Sequence, residues 1–359
     1  MIRRVLRIAA GLLVSCAIAA TLGEVLARAT HIIDRMNPFP RRLYVATQTP
    51  DLPYRLTPGV HIVVRESIID VNRLGIRDRE SITQTPAPGV RRILVLGDSV
   101  AFGWLQAVEH AFPRQLEDRL VAAGERVQVL NAGVPGYSAV TEAAWFRELG
   151  AALAPSTVLV AVNLNDFDRA PHLNGLGILS ATDDRVSPWS PANWSELYLA
   201  VRWSFIRLWL ARPIEEQPAP APRTDGEWDR WDRFASTIRK NFYHAPHEPE
   251  WSAMQAAWRD ISARARSQGA RVVFLLFPDG DQLSTPTPDL SPQQRLLARC
   301  AADGLECLDL YPTFAADGRG PLLFTDIMHP NDDGHALAAT AVAAYLRRGD
   351  TARGGAATE

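Results

Sequence analysis

The chain has 359 residues, and its 38 lysines and arginines against 40 aspartates and glutamates give a formal net charge of −2 at pH 7. This balance excludes a basic nucleic-acid-binding surface spread over the whole chain. A hydrophobic content of 47% excludes a charge-rich disordered protein, and three cysteines are too few for a disulfide scaffold. The length suits one large α/β domain with additions, or two domains.

The first 30 residues have the pattern of an export or membrane-anchor signal. Three arginines among the first seven residues precede an apolar run that ends at Gly23 and is, at about 18 residues, just long enough to cross a membrane. The run is long for a cleaved signal, which favours an uncleaved signal-anchor. Cleavage after Ala19 or Ala29, lipidation at Cys16, and a helix buried in the fold are the alternatives. Since positive charges stay in the cytoplasm, the rest of the chain is expected on the periplasmic side, or secreted if the signal is cleaved.

A linker and a small β appendage are expected over residues 31–90. Residues 37–58 are proline-rich and predicted to be extended. The stretches 61–64 and 67–71 have the composition of two short strands, which predicts a hairpin packed on the main domain. A proline- and glycine-rich turn over 86–89 marks the end of the appendage.

Residues 91–348 alternate short apolar runs with helical patterns, which predicts an α/β fold with a doubly wound parallel sheet. The five runs are 93–96, 127–130, 158–162, 272–277 and 305–310. Each is nearly continuous in apolar residues, as expected for strands buried on both faces. Because ligands bind such sheets at the carboxyl ends of the strands, functional residues are expected just after each run.

A helical insertion is predicted at about 170–250, because about 100 residues separate the third and fourth runs, far more than one crossover helix needs. Apolar residues at helical spacing form one face within it: Trp194, Leu197, Tyr198, Val201, Phe205, Leu208 and Trp209. That face covers the core, forms a lid or acyl-binding wall over the active site, or rests on the membrane. Residues 349–359 are rich in glycine, alanine and threonine and are expected to be a disordered tail.

Residues with catalytic potential follow the first three runs. Ser99, after Gly97-Asp98, is expected at a strand-to-helix junction, where a serine can be a nucleophile or simply cap the helix. Gly136 can let a backbone N–H face a reacting oxygen, or form an ordinary turn. Asn165 can offer its side-chain NH₂ to an oxyanion, or close an Asx turn.

An acid–base pair is expected beyond the fifth run, where Asp326 and His329 lie three residues apart. A carboxylate at this spacing can orient the imidazole, so that its other nitrogen takes a proton from Ser99. A surface or capping histidine is the alternative, and His335, which follows two aspartates, is a rival for the base. Jointly these residues are the set that acyl transfer from an ester requires.

The motifs resemble those of the SGNH (GDSL-type) hydrolases over roughly residues 91–348. The matching blocks are Gly97-Asp98-Ser99, Asn131-x-Gly133-x-x-Gly136, Asn165-Asp166 and Asp326-x-x-His329-Pro330. The resemblance implies a flavodoxin-like three-layer α/β/α sandwich with a five-stranded parallel sheet. It implies Ser99 as nucleophile and His329 as base, oriented by Asp326. It also implies oxyanion donors from the Ser99 N–H, the Gly136 N–H and the Asn165 side chain.

One position departs from the family pattern. Asn163 stands where the Gly-x-Asn-Asp block of the family begins with glycine, and a side chain there is expected to narrow the pocket or shift Asn165. The segment 97–103 and the N-terminal signal are similar to a membrane-tethered bacterial branch of the family.

The sequence therefore predicts a serine ester hydrolase, either esterase- or lipase-like or a carbohydrate deacylase, that forms an acyl-enzyme at Ser99 without a metal or organic cofactor. A polysaccharide O-acyltransferase with the same triad, or a non-catalytic glycan-binding protein, is the alternative. The expected partners are a small-molecule or glycan acyl ester and, through the N-terminal segment, the membrane, with no nucleic acid.

Outside these motifs the functional patterns are weak. His244-x-x-His247-Glu248 and the set Asp166, Asp168 and His172 are interpreted as polar surface or loop residues rather than metal ligands. Cys300 and Cys307 could pair in an oxidising compartment or be two separately buried thiols.

Overall fold

The computed structural model describes residues 2–33, 40–64, 67–79, 81–167, 172–173, 177, 179–180, 189–210 and 248–356. Asp168, His244, His247 and much of the expected insertion lie outside these residues. The chain divides into two compact units, one of Met1–Tyr44 with His172–Pro218 and the other of Val45–Pro171 with Ala219–Glu359.

The regular elements are numbered here in chain order. The helices are α1 (Ile2–Thr30), α2 (Ser99–Phe102), α3 (Phe112–Ala122), α4 (Ala139–Trp145), α5 (Glu196–Leu210), α6 (Glu248–Ser267), α7 (Ser291–Ala302), α8 (Tyr311–Asp317) and α9 (Asp332–Ala356). The strands are β1 (Tyr44–Ala46), β2 (Tyr54–Leu56), β3 (His61–Val64), β4 (Ser67–Asp70), β5 (Arg91–Gly97), β6 (Val127–Asn131), β7 (Thr157–Val162), β8 (His172–Leu173), β9 (Leu179–Ser180), β10 (Arg271–Leu276) and β11 (Cys307–Asp309).

The central sheet has five parallel strands in the order β11-β10-β7-β5-β6. Val158 of β7 pairs with Leu94 of β5 on one side and with Val272 of β10 on the other. Leu94 and Val158 are fully buried, because helices cover both faces of the sheet. The predicted α/β fold with a five-stranded parallel sheet is confirmed.

Alternate residues along the strands face two helical layers. One layer contains α3, α8 and α9, and its core includes Phe112, whose ring lies edge-on to Phe277 with centroids 5.8 Å apart. On the opposite face Trp258 of α6 packs on Phe274 of β10 with ring centroids 4.9 Å apart, and α6 contacts α4. The sheet edge where β5, β6 and β7 end is thereby held between two packed layers.

The disulfide, the C-terminal tail and the N-terminal helix can be compared with the expectations from the sequence. Cys300 of α7 and Cys307 of β11 form a disulfide, so they are not two separate thiols. Helix α9 continues to Ala356, past Gly349, where the disordered tail was expected to begin. Alanine and arginine are good helix formers, and a glycine costs a helix only about 1 kcal/mol, so the helix is able to continue. In α1, an 18-residue window has a mean hydropathy of 2.1 and none of it is buried, which argues against a helix buried in the fold.

Candidate active site

The nucleophile block lies where β5 turns sharply into α2. Gly97 has φ +151°, and a Cβ added there would lie 2.6 Å from the Cβ of Ala101, so the turn requires glycine. Asp98 caps the new helix, because its Oδ1 accepts a hydrogen bond of 2.8 Å from the Val100 N–H. Ser99 is therefore the first residue of a short helix, and it is only 6% exposed.

Ser99, His329 and Asp326 form a continuous hydrogen-bonded relay. The distance from Ser99 Oγ to His329 Nε2 is 2.8 Å, and the distance from His329 Nδ1 to Asp326 Oδ2 is 2.7 Å. The serine is separated from the histidine by 230 residues, so only the fold brings them together. This is the geometry in which an imidazole takes a proton from a hydroxyl while a carboxylate holds its tautomer.

Asp326 organises the loop as well as the imidazole. Its Oδ1 accepts hydrogen bonds from the N–H groups of Met328 and His329, at 3.0 and 2.8 Å. Burial raises the pKa of Asp326, but the neighbouring His329 and these hydrogen bonds outweigh burial and bring the pKa to about 2. The carboxylate is therefore ionised at neutral pH and can stabilise an imidazolium at His329.

The rival base, His335, has a different environment. It is 1% exposed, and its Nδ1 accepts a hydrogen bond of 3.2 Å from the Phe112 N–H, which ties α9 to the start of α3. Burial, followed by the charges of His329 and Arg77, lowers the pKa of His335 to about 3. His335 is thus a neutral, buried residue that accepts a hydrogen bond from a backbone N–H, whereas His329 contacts Ser99.

The loop after β6 brings Gly136 to the same edge of the sheet. Val134–Tyr137 is a tight turn in which the Tyr137 N–H bonds to the Val134 carbonyl, with proline at the second position and Gly136 at φ +83° in the third. A Cβ on Gly133 would lie 2.3 Å from the backbone nitrogen of Phe102, so glycine is also needed there for the loop to approach α2. The loop therefore depends on both glycines for different reasons.

The loop after β7 carries Asn163, Asn165 and Asp166. The side chain of Asn163 is fully buried and accepts the Leu164 N–H at 2.7 Å, so it closes its own turn. Asp166 braces the same turn by accepting the Asn163 N–H at 3.2 Å. The Asn165 side chain hydrogen-bonds the carboxyl group of Asp98, which places it beside the nucleophile segment.

Two buried acids beneath this edge were not identified from the sequence as functional residues. Burial raises the pKa of Asp98, although hydrogen bonds from Val100, Asn165 and Ser99 and the charge of His329 oppose this rise. Burial and the nearby Asp98 also raise the pKa of Glu142, in the first turn of α4, well above its ordinary value. Glu142 lies within an apolar helical pattern and carried no signal in the sequence.

The β appendage supplies a further element that the sequence did not reveal. The guanidinium of Arg77 is 1% exposed and donates hydrogen bonds to the carbonyls of Phe102, Gly103 and Gln106 at 2.7–2.8 Å. These carbonyls belong to the C-terminal end of α2 and the segment after it, where a cation is favourable. The Phe102 carbonyl also accepts a hydrogen bond of 3.2 Å from the side chain of Asn131, the last residue of β6, so Arg77 and β6 hold the same point of α2.

A second appendage residue braces the Gly136 turn. The Tyr54 hydroxyl donates to the Pro135 carbonyl at 2.9 Å, and the Tyr137 hydroxyl donates to the Tyr54 carbonyl at 2.7 Å. Both tyrosines are nearly fully buried. Nothing in the local sequence around Tyr54 indicates this contact, because it joins segments about 80 residues apart.

The sequence matches the GDSL-like Lipase/Acylhydrolase family over residues 95–337. The chain belongs to this family. The matched region contains all five residues of the predicted site and most of the central sheet. Among the residues that the structure describes, no three histidine, cysteine, aspartate or glutamate side chains are grouped so that they could hold a metal ion in this family member.

Individual proteins also resemble parts of the chain. An arylesterase from Vibrio mimicus is 32% identical over 75 residues, which is 21% of this chain and 38% of that protein. Solved structures that match part of the chain include TesA, with 16% identity over 70% of this chain and 96% of that chain and a TM-score of 0.39. A lipase/acylhydrolase from Enterococcus faecalis has 16% identity over 71% of this chain and 95% of its own, with a TM-score of 0.40. The esterase EstA from Pseudoalteromonas has 13% identity over 72% of this chain and 97% of its own, with a TM-score of 0.38.

Proposed function

We propose that the protein is a serine ester hydrolase that acts through an acyl-enzyme at Ser99. The observation that carries this proposal is the relay Ser99–His329–Asp326, with successive distances of 2.8 and 2.7 Å. Membership in the acylhydrolase family supports ester chemistry in general terms.

In the first half-reaction, Ser99 Oγ attacks the ester carbonyl carbon while its proton passes to His329 Nε2. The ionised Asp326 stabilises the imidazolium that forms. The carbonyl becomes an oxyanion, for which the Ser99 N–H, the Gly136 N–H and the Asn165 NH₂ are the proposed donors. The Ser99 N–H lies at the start of α2, where the N–H groups have no intrahelical acceptor.

Collapse of this tetrahedral intermediate completes the first half-reaction, because it breaks the bond to the alkoxide, which leaves as an alcohol with the proton from His329. In the second half-reaction, the acyl-enzyme is hydrolysed. Water then gives a proton to the same imidazole and attacks the acyl carbon, and the Ser99 Oγ leaves with that proton. The products are an alcohol and a carboxylic acid.

The test is intact-protein mass spectrometry of the detergent-solubilised full chain after exposure to a fluorophosphonate, together with hydrolysis of a p-nitrophenyl ester. Wild type is expected to gain one adduct at Ser99, and Ser99→Ala to gain none and to lose activity by at least about 10³-fold. Ser267→Ala is the matched control and should match wild type. Ser267 is exposed and ends α6 just before β10 begins, so it lies at the edge of the sheet opposite the carboxyl ends that carry Ser99. A folded wild-type protein that gains no adduct would contradict the proposal and favour a binding protein.

Product analysis tests the fate of the acyl group. Free acid in the presence of polysaccharide identifies water as the acceptor, as proposed. An acylated glycan would instead identify an O-acyltransferase that uses the same acyl-enzyme.

We also propose that α1 anchors the catalytic domain to the membrane on its non-cytoplasmic side. The helix is long and apolar enough to span a bilayer, and its first two turns carry three arginines. The Cys300–Cys307 disulfide supports an oxidising compartment. Cell fractionation with intact-mass analysis is expected to find the complete chain in the membrane fraction. A soluble protein that begins at residue 20 or 30 would contradict anchoring.

A further inference from the structure

Helix α5 carries a stripe of exposed apolar side chains. Trp194, just before the helix, and Tyr198, Val201 and Phe205 within it are 56, 40, 61 and 67% exposed. The spacings of three and four residues place Tyr198, Val201 and Phe205 on one side of the helix. We call these four residues the α5 stripe.

The opposite side of α5 is packed within its own unit. Leu199 is 4% exposed and clusters with Ile33 and Ala192, and Ala200 and Trp203 pack against this cluster. The stripe is therefore the outward face of a helix whose other face is already buried. Among the described residues, no protein segment covers the stripe, and contiguous exposed apolar side chains of this kind mark a site of interaction with a protein or a membrane.

The N-terminus of α5 is attached to α1 at Glu24. The Glu24 carboxylate accepts the N–H groups of Glu196 and Leu197, each at 3.1 Å, and the Ser195 hydroxyl at 2.8 Å. A helix N-terminus presents N–H groups without partners, and a carboxylate satisfies them. Arg28 strengthens the junction by donating to the Trp194 carbonyl at 2.7 Å.

Glu24 also marks where the apolar stretch of α1 ends. No charged residue lies between Arg7 and Glu24, so a membrane-spanning α1 would place Glu24 at the non-cytoplasmic surface. Helix α5 begins at that level. Its 15 residues extend about 22 Å, which is too short for a span, and Arg202 interrupts its apolar character.

From this junction we propose that α5 lies in the non-cytoplasmic interface of the membrane, with the α5 stripe inserted between the lipids. Tryptophan and tyrosine are enriched at that depth, because the headgroup region accommodates both their rings and their polar atoms. The inference rests on the membrane anchoring proposed above. It makes the lipid surface, rather than a second protein, the partner of α5.

The test uses the full-length chain with Cys16→Ser, since Cys300 and Cys307 are already joined. In this background, Val201→Cys and Phe205→Cys are two separate variants, each with one cysteine in the stripe that carries an environment-sensitive NBD fluorophore. Ser204→Cys is the matched control, because it is exposed but lies about 90° round the helix from the middle of the stripe. Leu12→Cys reports on α1. Each protein is reconstituted in phosphatidylcholine–phosphatidylglycerol vesicles with lipids spin-labelled near the headgroup or deep in the acyl chain.

We expect the shallow spin label to quench the probes at positions 201 and 205 at least twofold more than the probe at 204, and the deep label to quench the probe at 12. Equal quenching at 201, 204 and 205, with quenching retained at 12, would overturn the inference while the anchor stands. Loss of quenching at position 12 would contradict both the membrane anchoring by α1 and the insertion of the α5 stripe. Disulfide-linked dimers of the unlabelled Val201→Cys protein in place of quenching would identify a second copy as the partner and also overturn the inference.

Discussion

Replacement of Arg77 by methionine is expected to destabilise the protein by about 3 kcal/mol. Hydrogen bonds with a charged donor contribute about 1.5–3 kcal/mol each, so the three bonds from the guanidinium at 2.7–2.8 Å contribute about 6 kcal/mol. Burial opposes this, because it lowers the pKa of Arg77 from 12.5 to about 10, which corresponds to about 3 kcal/mol. The difference of about 3 kcal/mol lowers Tm by about 5–10 °C for a domain of this size.

The same substitution is expected to lower kcat by about 10–100-fold while KM changes little. Helix α2 has four residues, Ser99 is the first, and Arg77 binds the carbonyls at its other end. A nucleophile displaced by a fraction of an ångström loses its alignment with the substrate carbonyl and with His329. Arg77→Lys retains the charge but not the forked donors, so it should fall between wild type and Arg77→Met.

Urea unfolding measures the stability, and the rate of fluorophosphonate labelling well below Tm measures the alignment of the serine. Arg73→Met is the matched control, because Arg73 is on the same appendage but is exposed, and exposed substitutions usually change stability by less than about 0.5 kcal/mol. The reasoning is refuted if Arg77→Met unfolds and reacts like wild type. A stability loss with an unchanged labelling rate would limit Arg77 to a structural role.

Three further predictions concern the relay, the buried histidine and the disulfide. Asp326→Asn should lower kcat by about 10³–10⁴-fold. Because the pKa of this carboxyl in the folded protein, about 2, is below its ordinary 3.8, urea unfolding should show that wild type loses about 2 kcal/mol of stability between pH 4 and 2 and that the variant does not. His335→Gln should keep ester hydrolysis within about tenfold of wild type, while His329→Gln abolishes it; a loss of activity equal to that of His329→Gln would contradict this assignment. Because the pKa of His335 is about 3 in the folded protein against 6.5 for a free histidine, the stability of wild type should fall as the pH drops from 6.5 towards 3, and that of the variant should fall less steeply. Replacement of both Cys300 and Cys307 by alanine should cost about 2–3 kcal/mol in urea unfolding and make the protein insensitive to dithiothreitol, whereas an equal response of wild type and variant to the reductant would show that the bond is absent in solution.

The sequence alone determined the class of fold and the order of the site motifs. Strands of a parallel sheet are buried on both faces, so they must be apolar almost throughout, and this requirement is visible in runs such as 93–96 and 158–162. Parallel strands end at one edge, so polar residues after each run were expected to meet there. The apolar N-terminal helix is equally local, since its length and composition are properties of one segment.

Only the tertiary structure decided the contacts between distant segments. His329 and His335 are both histidines near aspartates in the sequence, yet one contacts Ser99 and the other accepts the Phe112 N–H, because the direction of a side chain depends on how a loop or helix packs. Asn163 folds back on its own turn, a matter of backbone geometry that residue type does not reveal.

The support from the appendage was also outside the reach of the sequence. Arginine is a residue type typical of protein surfaces. The burial of Arg77 is tolerated only because three backbone carbonyls, at the end of α2 and just after it, accept hydrogen bonds from its guanidinium. Local patterns report which face of an element is apolar. They do not report which polar groups will be left without water when two elements meet, and the fold supplies the partners for those groups.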